Sequence, residues 1–149
     1  MNKKFGKLSK PLVIASILVF VATGWLLFAG IIEFNNYVEG PSISIPCPDT
    51  GIQVAIRDTN SMRLLSLATI ASACIYIVVG VSILQKKHLG FILASMIFAC
   101  VIAFMLGHCD DYYMNIEPPC ATLSIGLPTL ILSGIPFAIV VWKYKEFIE

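Results

Sequence analysis

Charge is what this sequence has least of. Only 13% of its 149 residues are Asp, Glu, Lys or Arg, against about a quarter in an average soluble domain. A water-soluble fold is therefore excluded as the economical reading, the more so because 58% of the chain is hydrophobic. The scarcity is also local. Leu12 to Ile32, Leu64 to Leu84, Leu89 to Leu106 and Ala121 to Trp142 contain no Asp, Glu, Lys, Arg or His. Proton-coupled transporters and pumps need ionisable groups inside the membrane, so runs without them speak against driven transport. Missing as well are a Cys-x-x-Cys, an H-E-x-x-H, a glycine-rich phosphate loop and a Ser/His/Asp set on one side of the membrane. Enzymes built on those motifs are thereby set aside. A net charge of only +1 gives no reason to propose nucleic-acid binding.

What is present is length. Each uncharged run has 18 to 22 residues; at 1.5 Å of rise per residue, that crosses a hydrocarbon core of about 30 Å. The sequence predicts an all-α membrane protein, a four-helix antiparallel bundle with spans at about 12–33, 63–84, 89–107 and 121–142. Residues 1–149 then form one membrane domain. The run after the basic segment Asn2 to Lys10 is too long for the apolar core of a signal peptide, so it reads as an uncleaved anchor. Lys3, Lys4, Lys7, Lys10, Lys86, Lys87, Lys143 and Lys145 fall on one side, and only Arg57 and Arg63 on the other. The positive-inside bias makes the first side cytoplasmic. The expectation is a multi-pass plasma-membrane protein with both termini cytoplasmic and loops 34–62 and 108–120 exoplasmic.

The first outer loop carries Ser42-Ile43-Ser44-Ile45 and Ile52-Gln53-Val54-Ala55-Ile56 around a Pro/Asp/Gly turn, a pattern that predicts a small β-hairpin over about 42–56. Helices two and three are joined by Gln85-Lys86-Lys87-His88, short enough to make them antiparallel neighbours. Helix three spaces Ser95, Ala99, Ala103 and Gly107 four apart, a smooth stripe for close helix packing. In helix four, Pro128 and Pro136 each lack an N–H for the carbonyl four residues back, which predicts two kinks. Trp25 lies deeper in helix one than an interfacial anchor would, and packing is its default role.

The five cysteines separate by place. Cys74 and Cys100 fall within spans and read as small apolar packing residues. Cys47, Cys109 and Cys120 fall in outer loops. A Cys109–Cys120 disulfide would close the second loop and stabilise by about 3 kcal/mol in the chain-entropy model, with Cys47 as an alternative partner for either. The same loop offers donors for copper or zinc: His108, Cys109, Asp111, Met114 and Cys120. A plainer account of His108 is a cation near the negative end of the helix-three dipole. No cofactor is otherwise expected.

This topology, with cysteines in the outer loops, resembles that of the disulfide-forming and vitamin-K-reducing thiol oxidoreductases, of tetraspanins and of claudins. Their defining motifs are not here. No two cysteines lie closer than nine residues, so the Cys-x-x-Cys of the oxidoreductases is missing, as are the Cys-Cys-Gly of tetraspanins and the Trp and paired-Cys signature of claudins. No family follows from topology alone. The leading expectation is a non-catalytic accessory subunit of a larger membrane assembly, such as a respiratory or metal-dependent oxidase or monooxygenase complex. Its partners would be other integral membrane subunits and membrane lipids. Behind it stand an exoplasmic metal-binding or thiol-redox protein and, third, a passive channel or lipid-binding protein.

Overall fold

In the computed structural model of the chain, four helices are long and apolar enough to cross a membrane. The structure describes residues 9–38, 45–46, 53–54, 59–113 and 122–148, with side chains over 9–35, 63–107 and 124–148. The first three helices are α1 (Lys10–Val38), α2 (Thr59–Gln85) and α3 (Leu89–Tyr113). A π-helical turn, Thr122–Gly126, then leads into α4 (Leu127–Trp142), which a short 3₁₀ turn, Tyr144–Phe147, follows. Each helix packs on its neighbour in sequence, and α4 closes the ring on α1. Ile45–Pro46 and Gln53–Val54 pair antiparallel, Ile45 opposite Val54. The remainder of the expected hairpin over 42–56 lies outside the described residues.

The first three helices outrun the spans expected from charge. α3 continues from 107 to Tyr113, so His108, Cys109 and Asp111 sit on helical backbone and not in a loop. The first charge marks the edge of the hydrocarbon, where water can take over, but it does not interrupt i→i−4 hydrogen bonding. Only Pro118 and Pro119 are strong breakers here.

All four helices are apolar almost all round, so hydrophobicity does not choose their inward faces. Hydroxyls mark them best. The interior holds Ser16, Thr23, Ser66, Thr69, Ser72, Thr129 and Ser133 together with alanines such as Ala15, Ala99 and Ala103 and large side chains such as Leu12, Leu26, Ile83 and Leu106, whereas Ile14, Ile17, Leu64, Ile97 and Val101 point outward. In lipid, outward Ile and Leu cost nothing, and small residues let backbones approach. Thr23, Thr69, Ser72 and Thr129 each donate to the carbonyl four residues earlier, at 2.8 to 3.0 Å, which satisfies hydroxyls where no water reaches.

α1 and α2 share the longest seam. Ser16 donates to the Gly80 carbonyl across it (3.0 Å). A Cβ on Gly30 would stand 2.7 Å from Ile70 Cγ1 and 3.1 Å from the Ser66 carbonyl, and one on Gly80 would stand 2.8 Å from the Phe20 ring. At Gly30 the neighbouring backbone leaves room only for glycine, whereas at Gly80 a side chain would have to turn the partly exposed Phe20 ring aside. The two prolines stand in different places. Pro136 is inside α4 and buried, but Pro128 sits in the first turn of α4, directly after the π turn. There the helix changes from π to α type.

Candidate functional site

Halfway along the bundle, side chains from all four helices meet in hydrogen bonds. Tyr76 of α2 is fully buried, and its hydroxyl donates to Ser133 Oγ of α4 at 2.7 Å, with the Met96 carbonyl of α3 3.5 Å away. From α1, Trp25 Nε1 donates to Thr129 Oγ1 (3.2 Å). The Cys100 thiol of α3 lies 4.0 Å from the Thr129 carbonyl. Every group here is neutral. A buried hydroxyl or indole N–H without a partner is costly in a low-dielectric interior, so these bonds fix which helix faces which. They carry no charge.

Beside this centre, α3 and α4 do not close on each other. Met96, Ile97, Cys100, Val101, Leu130, Ser133, Gly134 and Phe137 line a groove of about 240 Å³ with no polar surface exposed in it. It opens outward, on the face that meets lipid. Towards the π turn the seam shuts: a Cβ on Gly126 would stand 2.6 Å from the Phe104 ring. At Gly134 a Cβ would meet nothing within 4 Å. An apolar side chain or a hydrocarbon chain fits such a groove; a charged or strongly polar group does not.

The helix-three stripe is consumed inside the bundle. Ala99 and Ala103 have no exposed surface, Gly107 is buried and Ser95 is half-buried. Cys100 is half-buried and lines the groove, but Cys74, expected as a packing residue, is exposed. It falls beside Ala73 on the side of α2 away from Tyr76, where lipid accepts a thiol without loss. Glu33, near the end of the α1 span, is only 8% exposed. One residue on, Arg63 places its guanidinium 5.5 Å from the Phe34 ring centroid.

Of the second-loop residues, His108, Cys109 and Asp111 have their backbone in the last turns of α3; their side chains, like all of Met114, Cys120 and Cys47, lie outside the described residues. Among the described residues no three His, Cys, Asp or Glu side chains converge. The residues that sequence reasoning passed over are Tyr76, Thr129 and Ser133. Their signal was a tyrosine in mid-span, which in hydrocarbon demands a hydrogen-bond partner. No family model, curated protein or solved structure matches the chain.

Proposed function

We propose that this protein is a non-catalytic accessory subunit of a larger integral-membrane assembly, and that it meets its partner along the α3–α4 face. The observation that carries the reading is the groove at Gly134. The stripe expected to receive another helix is already spent within the bundle, where Ala99 and Ala103 have no exposed surface. The α3–α4 seam offers small residues, Gly134 and Cys100, between large outward ones, Ile97, Val101 and Leu130. Lipid tails are as apolar as leucine, so association in a membrane depends on packing of this sort and not on hydrophobicity.

The same reading keeps both termini on the cytoplasmic side of the plasma membrane by the lysine bias. It places a hairpin over 42–56 and a Cys109–Cys120 disulfide on the outer side. Purification from native membranes in mild detergent tests it. A co-purifying integral membrane protein that is lost on Gly134→Leu but kept on Gly24→Leu is the expected result, because Gly24 also has open space around it but sits on the outward face of α1. A monodisperse monomer with nothing bound would sink the reading.

A further inference from the structure

One end of the bundle gathers the N-terminus of α1, the α2–α3 connection and the end of α4. The α2 helix stops there in a Schellman turn: Lys86 N–H donates to the Ile83 carbonyl (3.1 Å) and Lys87 N–H to that of Ser82 (3.0 Å). Glycine is the usual residue at the turning position, yet here it is Lys86, at φ 54°, and His88 follows at φ 57°. The Lys86 ammonium lies 3.1 Å from Glu146 Oε2, while Lys143 lies 3.6 Å from Oε1 and 4.5 Å from the Trp142 ring centroid. Two cations from separate elements thus converge on the two oxygens of one carboxylate. Glu146 is the sole acid at this end among the described residues. Lys10, Lys87 and Lys145 stand exposed at the same end, as does His88.

We propose that Lys86 and Lys143 form a binding site for the phosphate of an anionic phospholipid headgroup, and that Glu146 occupies this site until the lipid displaces it. Three observations point this way. First, after Glu146 has neutralised one of them, the described lysines still leave an excess of positive charge, so the site attracts a further anion. Second, Glu146 is a weak occupant, because a surface ion pair is screened and easily exchanged. Its carboxyl is nevertheless held below the usual carboxylate range, foremost by the Lys86 hydrogen bond, so it sits there as an anion. Third, Trp142, Tyr144 and Ile148 are exposed around it, at the depth where aromatic side chains meet headgroups and where basic clusters beside spans recruit anionic lipid. That apolar rim favours a lipid over free phosphate. Phe147 packs on the core, so displacement frees the Glu146 side chain without detaching the 3₁₀ turn.

Native mass spectrometry of the full chain from detergent supplies the test, with phosphatidylglycerol, phosphatidylcholine and inorganic phosphate as separate probes. The wild type should retain phosphatidylglycerol in preference to the other two. Glu146→Gln removes the competing anion and should tighten that binding by about two- to fivefold, the range a surface ion pair is worth, a gain that misfolding does not produce. Lys86→Gln and Lys143→Gln should weaken it similarly, and more than Lys87→Gln, which removes the same formal charge outside the clasp. Equal losses for Lys86→Gln and Lys87→Gln would mean diffuse attraction and overturn the site. Unchanged or weaker binding in Glu146→Gln would overturn the displacement, and equal retention of inorganic phosphate would overturn the lipid.

Discussion

The α1–α2 seam and the α3–α4 seam use the same small residues for opposite ends. In the first, Gly30 and Gly80 are pressed against the partner helix, and Ser16 bonds across to a backbone carbonyl. In the second, Gly126 is pressed against Phe104, but two turns further Gly134 faces open space. A membrane bundle has no hydrophobic force with which to squeeze its helices together, so contact follows only where shapes fit. The first seam is shaped for a helix of its own chain. The second is shaped for one over half its length and left incomplete over the rest.

The sharpest way to break this comparison is to overfill the closed seam. Gly30→Val would drive a branched side chain into Ile70 and the Ser66 carbonyl, and the backbone oxygen cannot rotate aside. Overpacking of this kind costs about 1 to 3 kcal/mol, so the thermal midpoint in detergent should fall clearly. A change no larger than that of Gly24→Val would show that α1 and α2 are not in such close contact.

A smaller effect is expected at the bundle centre. Tyr76→Phe removes the hydroxyl that ties α2 to Ser133. Hydrogen bonds between membrane helices average about 0.6 kcal/mol by double-mutant cycle. The cycle of Tyr76→Phe with Ser133→Ala should give a coupling of that order, and a coupling of zero would remove the centre as a determinant of helix order. Leu130→Ala on the groove rim, which is 46% exposed, should cost the isolated chain less than Leu26→Ala, whose side chain is fully buried on α1.

At the basic end the expected change is smaller still. The Glu146 carboxyl has a lowered pKa in the folded chain, so its stabilising contribution is complete above the ordinary carboxylate value and is lost as pH falls through the lowered one. Stability measured from pH 8 to 6 should therefore not change through this group. A slight loss should appear only below about pH 4, and Glu146→Gln should abolish that part of the acid dependence.

The four spans were legible because charge is excluded from hydrocarbon, a constraint that acts residue by residue. The ends of the helices were not, since α3 passes the first polar residues and runs on to Tyr113. Inward faces were half legible. Ala99 and Ala103 announced a close contact, but spacing alone did not say whether its other side was this chain or another. Cys74 was misread because, in a helix apolar all round, nothing local tells the lipid side from the core side. The groove at Gly134 was invisible in the sequence, because an absence of packing depends on where three other helices stop.

The last prediction turns on that groove, where the expected effect on the isolated chain is smallest and its sign most informative. Gly134 lies in the interior of α4, two residues before Pro136. Glycine in a helix interior is about 0.5 to 1 kcal/mol worse than alanine because it gives up more backbone freedom. A methyl at 134 meets no neighbour within 4 Å, so nothing offsets that gain. Gly134→Ala should leave the thermal midpoint of the isolated chain unchanged or slightly raised, whereas Gly30→Ala should lower it. If the α3–α4 face receives a partner helix, the same methyl holds the two backbones apart, and Gly134→Ala should weaken association while strengthening the monomer. Opposite signs from one substitution are hard to obtain from general damage to the fold. A fall in monomer stability on Gly134→Ala would mean that the groove is filled by this chain's own side chains, and the contrast between the two seams would disappear.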